Sequence, residues 1–68
     1  MSPGDLVYVT MLGKKYVGII ESIDPEIPLT SQREAGDEDY YWVIIPETGN
    51  IKWEKGINLE IINNHLVH

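Results

Sequence analysis

Tyr40-Tyr41-Trp42-Val43-Ile44-Ile45 is the stretch on which the fold turns. All six residues are aromatic or β-branched, the types that fit a pleated, half-buried surface, and the run holds no glycine, proline or charge. It is too short for a core helix, and turn formers bound it, as they bound a strand. An acidic run, Asp37-Glu38-Asp39, precedes it, and Pro46-Glu47-Thr48-Gly49-Asn50 follows it. Pro46 cannot continue a ladder, and Gly49-Asn50 supplies the reversal. Successive side chains of a strand face opposite ways, so the run divides into Tyr40, Trp42, Ile44 and Tyr41, Val43, Ile45. A slip of one residue would exchange the two sets.

Downstream, Ile51-Lys52-Trp53-Glu54 alternates apolar and polar residues as a half-buried strand does. Lys55 to Asn58 reads as a short crossing with a single 3₁₀ turn, and Leu59-Glu60-Ile61-Ile62 as a last strand before the tail at 63–68. Upstream lies Asp24 to Asp39, with Pro25, Pro28 and the acidic residues Asp24, Glu26, Glu34, Asp37, Glu38 and Asp39. Connections in small domains usually span about 4–6 residues, which makes this loop long. Ser31 to Ala35 has room for one helical turn within it. Before the loop come Leu6 to Thr10 and Tyr16 to Ile23, a hairpin joined through Leu12-Gly13-Lys14-Lys15. Gly18, in mid-strand, marks a bulge or a close backbone approach. Five short strands without a useful helix predict an all-β domain, and a small closed barrel lets them share one core.

At 68 residues the chain is one domain. A chain of this size buries only about 60% of its unfolded surface, so its core is thin. It has no cysteine, which removes disulfides, thiolate metal sites and thiol nucleophiles. His65 and His68, both in the tail, make a poor metal set. Eleven acidic against five basic residues give a net charge of −6, the wrong sign for a duplex binder that draws its affinity from phosphate neutralisation. No apolar run approaches the length of a membrane span and no signal peptide opens the chain. The expectation is a soluble, cytoplasmic protein.

The order of features resembles the SH3-like barrels, most closely their Tudor and KOW branches. Gly4-Asp5-Leu6-Val7-Tyr8-Val9 carries the KOW-like part. Tyr16-Val17-Gly18-Ile19-Ile20-Glu21-Ser22-Ile23-Asp24 and the later Gly49-Asn50 carry the Tudor-like part. The resemblance implies a five-stranded SH3-like barrel with a long acidic loop, about 24–39, between strands 2 and 3. It also implies that Tyr41, Val43 and Ile45 point inward and that Tyr40, Trp42 and Ile44 form an outer stripe. Tudor domains that read methylated side chains cage the cation in aromatic rings. The cage positions fall here at about Val9, Tyr16, Ile45 and Thr48, of which only Tyr16 is aromatic. That function does not carry over. The chain also resembles short, uncharacterised proteins of tailed bacteriophages, through the opening Pro3-Gly4-Asp5, the Gly18-Ile19-Ile20 strand and the ending Gly49-Asn50-Ile51-Lys52-Trp53 with Leu59-Glu60-Ile61-Ile62. This implies a phage-encoded protein in the host cytoplasm or the virion.

Trp and Tyr are favoured anchors at protein interfaces, so the Tyr40-Trp42-Ile44 stripe is the candidate binding surface, unless the acidic loop folds back over it. Trp53, beside Ile51 on one strand face, reads as core, and joins the candidate surface as a second possibility. Asp37, Glu38, Asp39 and Glu34 lack the spacing of a calcium loop, because Gly36 precedes the acidic run. They read as a solvated charge run. Nothing assembles a nucleophile or acid–base pair in a pocket, so no enzyme, cofactor or small-molecule substrate is expected. The leading expectation is a binding or structural module that contacts a protein partner or a second copy of itself. A KOW- or Tudor-like nucleic-acid module, and an acidic inhibitor seated on a basic host protein, are the alternatives.

Overall fold

The computed structural model of the protein describes residues 1–62. It contains β1 (Leu6–Met11), β2 (Lys14–Asp24), β3 (Tyr40–Ile45), β4 (Asn50–Lys55), a 3₁₀ turn over Gly56–Asn58 and β5 (Glu60–Ile61). β1 to β4 each begin or end within two residues of a glycine or proline. The β1–β2 hairpin closes through Leu12 and Gly13, both in the left-handed region at φ 52° and 78°. That geometry matches the right-handed twist of the flanking strands. The β3–β4 hairpin turns through Gly49 at φ 77°, with the amides of Thr48 and Gly49 both donating to the Ile45 carbonyl.

All five strands form one antiparallel sheet in the order β4-β3-β2-β1-β5. The long β2 is shared: its first half pairs with β1 and its second with β3, and Ile19 has a partner in each. A bulge between Ile20 and Ser22 bends the strand where it passes from one neighbour to the other. Gly18 is not that bulge. It lies on the inner face, where a Cβ would collide with Val43 Cγ1, so it is the position of close approach.

The expected closed barrel does not form. Among the described residues β4 and β5, the two ends of the sheet, do not pair with each other. The physical reason lies in β5, which is two residues long where four were expected. It offers too little ladder to close against β4. The inner face is covered instead by the segment between β2 and β3 and by the 3₁₀ turn.

Val7, Ile20, Tyr41 and Val43 form the buried cluster, with Met1, Ile23, Ala35 and Leu59 packed against it. Val9 and Ile45 are buried beside them. Tyr41, Val43 and Ile45 thus point inward, as the resemblance implied. No helix among the described residues is long and apolar enough to cross a membrane.

Candidate functional site

Residues directly opposite each other in an antiparallel pair lie on the same side of the sheet. The register therefore determines which side chains share the second face. Trp42 stands opposite Trp53, and Ile44 opposite both Ile51 and Ile19. Ile19 is opposite Leu6, and Val17 opposite Tyr8. These pairs join into one apolar surface running from β4 across β3 and β2 to β1. Its β4 end is the most open: Trp42 is 41%, Trp53 47% and Ile51 59% exposed. Val17 and Tyr8 are exposed as well, while Leu6, Ile19, Ile44 and Tyr40 are half-buried.

The aromatic end is ordered by its own contacts. Tyr40 and Trp53 stack with ring centroids 4.2 Å apart and planes 12° from parallel, and Trp42 leans on Trp53 at 6.2 Å and 41°. The Trp53 indole N–H donates to Asp24 Oδ2 at 3.1 Å. Lys55 Nζ sits over the Tyr40 ring at 5.7 Å, which closes the outer rim with a cation–π contact. The rings are held in place yet keep solvent-facing area, the pairing found in interface anchors.

All four expected site residues, Tyr40, Trp42, Ile44 and Trp53, meet on this face. The reading of Trp53 as core is corrected: its strand face is the outer one, because Trp42 opposite it is outward. The platform is wider than expected: it takes in Leu6, Val17 and Ile19, together with Tyr8, which strand alternation already turns outward, and Ile51, which like Trp53 reads as core from its own strand. Its signal was the register of two hairpins taken together, which no single strand displays. The four cage positions do not make a cage, since Val9 and Ile45 are buried.

The loop covers the opposite face, and one residue organises it. Asp39 is fully buried, so the expectation of a solvated acidic run is corrected at this position. Its Oδ1 accepts from Arg33 Nη2 at 2.7 Å and from the Glu26 amide at 2.9 Å, and its Oδ2 accepts from the Gly36 amide at 2.8 Å. The Arg33 hydrogen bond, then the Gly36 and Glu26 amides, outweigh burial and hold the carboxyl at a pKa of about 2. The charge is paired and hydrogen-bonded, the condition under which burial is tolerated. Arg33 also donates to the Ile27 carbonyl at 2.9 Å, tying the start of the loop to its middle. Ser31 to Ala35 forms no helical turn. Thr30 and Arg33 instead make an isolated bridge.

The loop is seated on the core by backbone contacts. The Tyr41 hydroxyl donates to the Gly36 carbonyl at 2.9 Å, and burial raises its pKa. The amides of Gly56 and Ile57 donate to the carbonyls of Asp39 and Asp37, both at 2.8 Å. Tyr41 is an inward residue of β3, so the loop lies across the inner face and leaves the aromatic stripe uncovered.

Among the described residues no group of three or more His, Asp or Glu side chains is placed to hold a metal ion. His65 and His68 lie outside the described residues. Comparison of the chain with protein-family models, with curated proteins and with solved structures returns no match.

Proposed function

We propose that the protein is a non-catalytic interaction module that docks a protein partner on the outer apolar face of its sheet. One observation carries the reading: both tryptophans and Ile51 stand open to solvent on a face the chain's own long loop leaves bare. Exposed contiguous apolar surface of this kind marks contact sites. A fixed aromatic stack loses little entropy when a partner covers it. An SH3-like relationship and a phage origin belong to the same proposal. Both rest on the sequence features quoted for them, and the five-stranded antiparallel sheet agrees with the first only at the level of an all-β fold.

Nucleic-acid binding draws less support. Of the five basic residues, Arg33, Lys15 and Lys52 are each paired with a carboxylate: Asp39, Glu60 and Glu54. Little free positive charge is left to neutralise phosphate.

The test is recovery of a partner by tagged wild-type protein and by Trp42→Ser. Recovery that resists salt and is lost with Trp42→Ser supports the proposal. A partner retained by Trp42→Ser, or nucleic acid recovered at low salt and lost when Lys14, Lys15, Lys52 and Lys55 are neutralised, contradicts it.

A further inference from the structure

Among the described residues, the sheet has two open edges of unequal character. β5 is two residues long and offers almost no ladder. β4 is six residues long and is unbroken by proline or bulge, so its backbone is free to pair. The charges that can blunt an edge are present as Lys52, Glu54 and Lys55, and any added strand must set opposite charge against Lys52 and Glu54.

The backbone of β4 divides cleanly between its two sides. The Gly49 amide bonds the Ile45 carbonyl beside the Ile45–Asn50 pair, and the Gly56 amide bonds Asp39 one step beyond Tyr40–Lys55. Both ends of the β3–β4 ladder thus agree on its phase. Hydrogen-bonded and non-bonded pairs alternate along an antiparallel ladder. Lys52 and Glu54 therefore face β3 with their backbone groups, the Asn50 amide donates to Thr48 Oγ1 at 3.3 Å within the turn, and Ile51, Trp53 and Lys55 direct their N–H and C=O groups outward. Three donors and three acceptors line the open edge, in the spacing that an added antiparallel strand requires.

We propose that this edge takes a second copy of the same chain, β4 against β4, across a two-fold axis at Trp53. Charge selects the register. Opposed residues must share a face, so the axis passes through a residue, and Lys52 and Trp53 are the two positions that keep most of the strand paired. An axis at Lys52 sets that lysine against its own copy on the half-buried inner face. An axis at Trp53 sets Lys52 of each chain opposite Glu54 of the other. These are non-bonded pairs, where side chains approach most closely. Within one chain the same two side chains already lie 3.2 Å apart, so pairing turns two isolated bridges into a four-charge cluster. On the outer face the Trp53 rings meet at the axis and Ile51 lies opposite the aliphatic stem of Lys55. The two apolar platforms become one ten-stranded surface.

The inference goes beyond the docking proposal, which concerns the face and not the edge. Its test is sedimentation equilibrium of the wild type, Lys52→Glu, the double swap Lys52→Glu/Glu54→Lys, Ile51→Ala and Ile51→Pro, each checked for folding by circular dichroism. The wild type is expected to dimerise in a concentration-dependent way. Lys52→Glu, which places a second carboxylate opposite Glu54, is expected to weaken the dimer on the order of tenfold. The double swap restores it. Ile51→Pro removes an outward amide together with the Ile51 side chain and abolishes it, whereas Ile51→Ala, which keeps the amide, only weakens it. A wild type that stays monomeric at millimolar concentration overturns the proposal. So does a dimer indifferent to Ile51→Pro, which would place the contact elsewhere. A dimer lost with Lys52→Glu and not restored by the swap overturns the Trp53 axis. Loss of partner recovery by Trp42→Ser is read separately and depends on none of these outcomes.

Discussion

Gly56→Ala tests how the long loop is held. Gly56 is buried in the 3₁₀ turn and has an ordinary backbone conformation, so only space forbids a side chain there. A Cβ would lie 2.8 Å from the Gly36 carbonyl oxygen, 2.9 Å from Tyr41 Cε1 and 3.1 Å from Asp37 Cα. Two of these are backbone atoms that cannot rotate away. If the loop stays seated, the strain is of the overpacking kind, about 1–3 kcal/mol. If it lifts, it gives up the hydrogen bonds from Gly56 to Asp39, from Ile57 to Asp37 and from Tyr41 to Gly36. At about 1 kcal/mol net each, that route costs about 3 kcal/mol. The lost flexibility of the unfolded glycine offsets about 0.4–1 kcal/mol, leaving about 2 kcal/mol. For a domain of this size that lowers the melting temperature by roughly 10–15 °C. Gly36→Ala is the control, because nothing lies within 4 Å of a Cβ built there. It is expected to be neutral or slightly stabilising. Thermal unfolding followed by circular dichroism measures both. A Gly56→Ala cost below about 0.5 kcal/mol, or equal costs for the two variants, would mean that the loop is not seated against Gly56.

Gly18→Ala drives a methyl into Val43 and should cost about 1–3 kcal/mol, with Val43→Ala relieving part of it in the double variant; strictly additive denaturation energies would count against the contact. Leu12 holds φ 52° in a tight hairpin turn and is fully exposed, so Leu12→Asn, which suits that conformation and loses no packing, should stabilise by about 0.5–1 kcal/mol in urea unfolding. Acid should act through Asp39. Its folded pKa of about 2 lies below the unfolded value of about 3.9, so its stabilisation is complete above about pH 4 and is lost as pH falls through about 2. Asp39→Asn should remove that part of the acid dependence, measured as the slope of stability against pH.

The first four strands are legible because runs or alternations of β-formers lie between glycine or proline residues. Tyr40 to Ile45 is the clearest, and its division into two sets, Tyr41, Val43, Ile45 and Tyr40, Trp42, Ile44, follows from strand alternation. Gly18 stands out in its strand, but its two meanings separate only when β3 is laid beside β2. Asp39 could not be read as buried. A carboxylate next to two other acids looks solvated until Arg33, six residues earlier, and two amides are brought around it. The same holds for Gly56, whose need for space arises from a loop twenty residues away in sequence. Barrel closure fails as an expectation because strand count does not determine edge length. Trp53 reads as core only so long as its neighbour across the ladder, Trp42, is not used to orient it.

The acidic loop covers one face of the sheet and leaves the aromatic platform open on the other. NMR with a soluble paramagnetic probe, at a concentration low enough to keep single copies, measures this side chain by side chain. Strong relaxation of Trp42, Trp53, Ile51 and Val17, with Tyr41, Val43 and Ala35 protected, is the predicted result. Trp42 and Trp53 as protected as Tyr41 would contradict it, and would place the loop over the stripe.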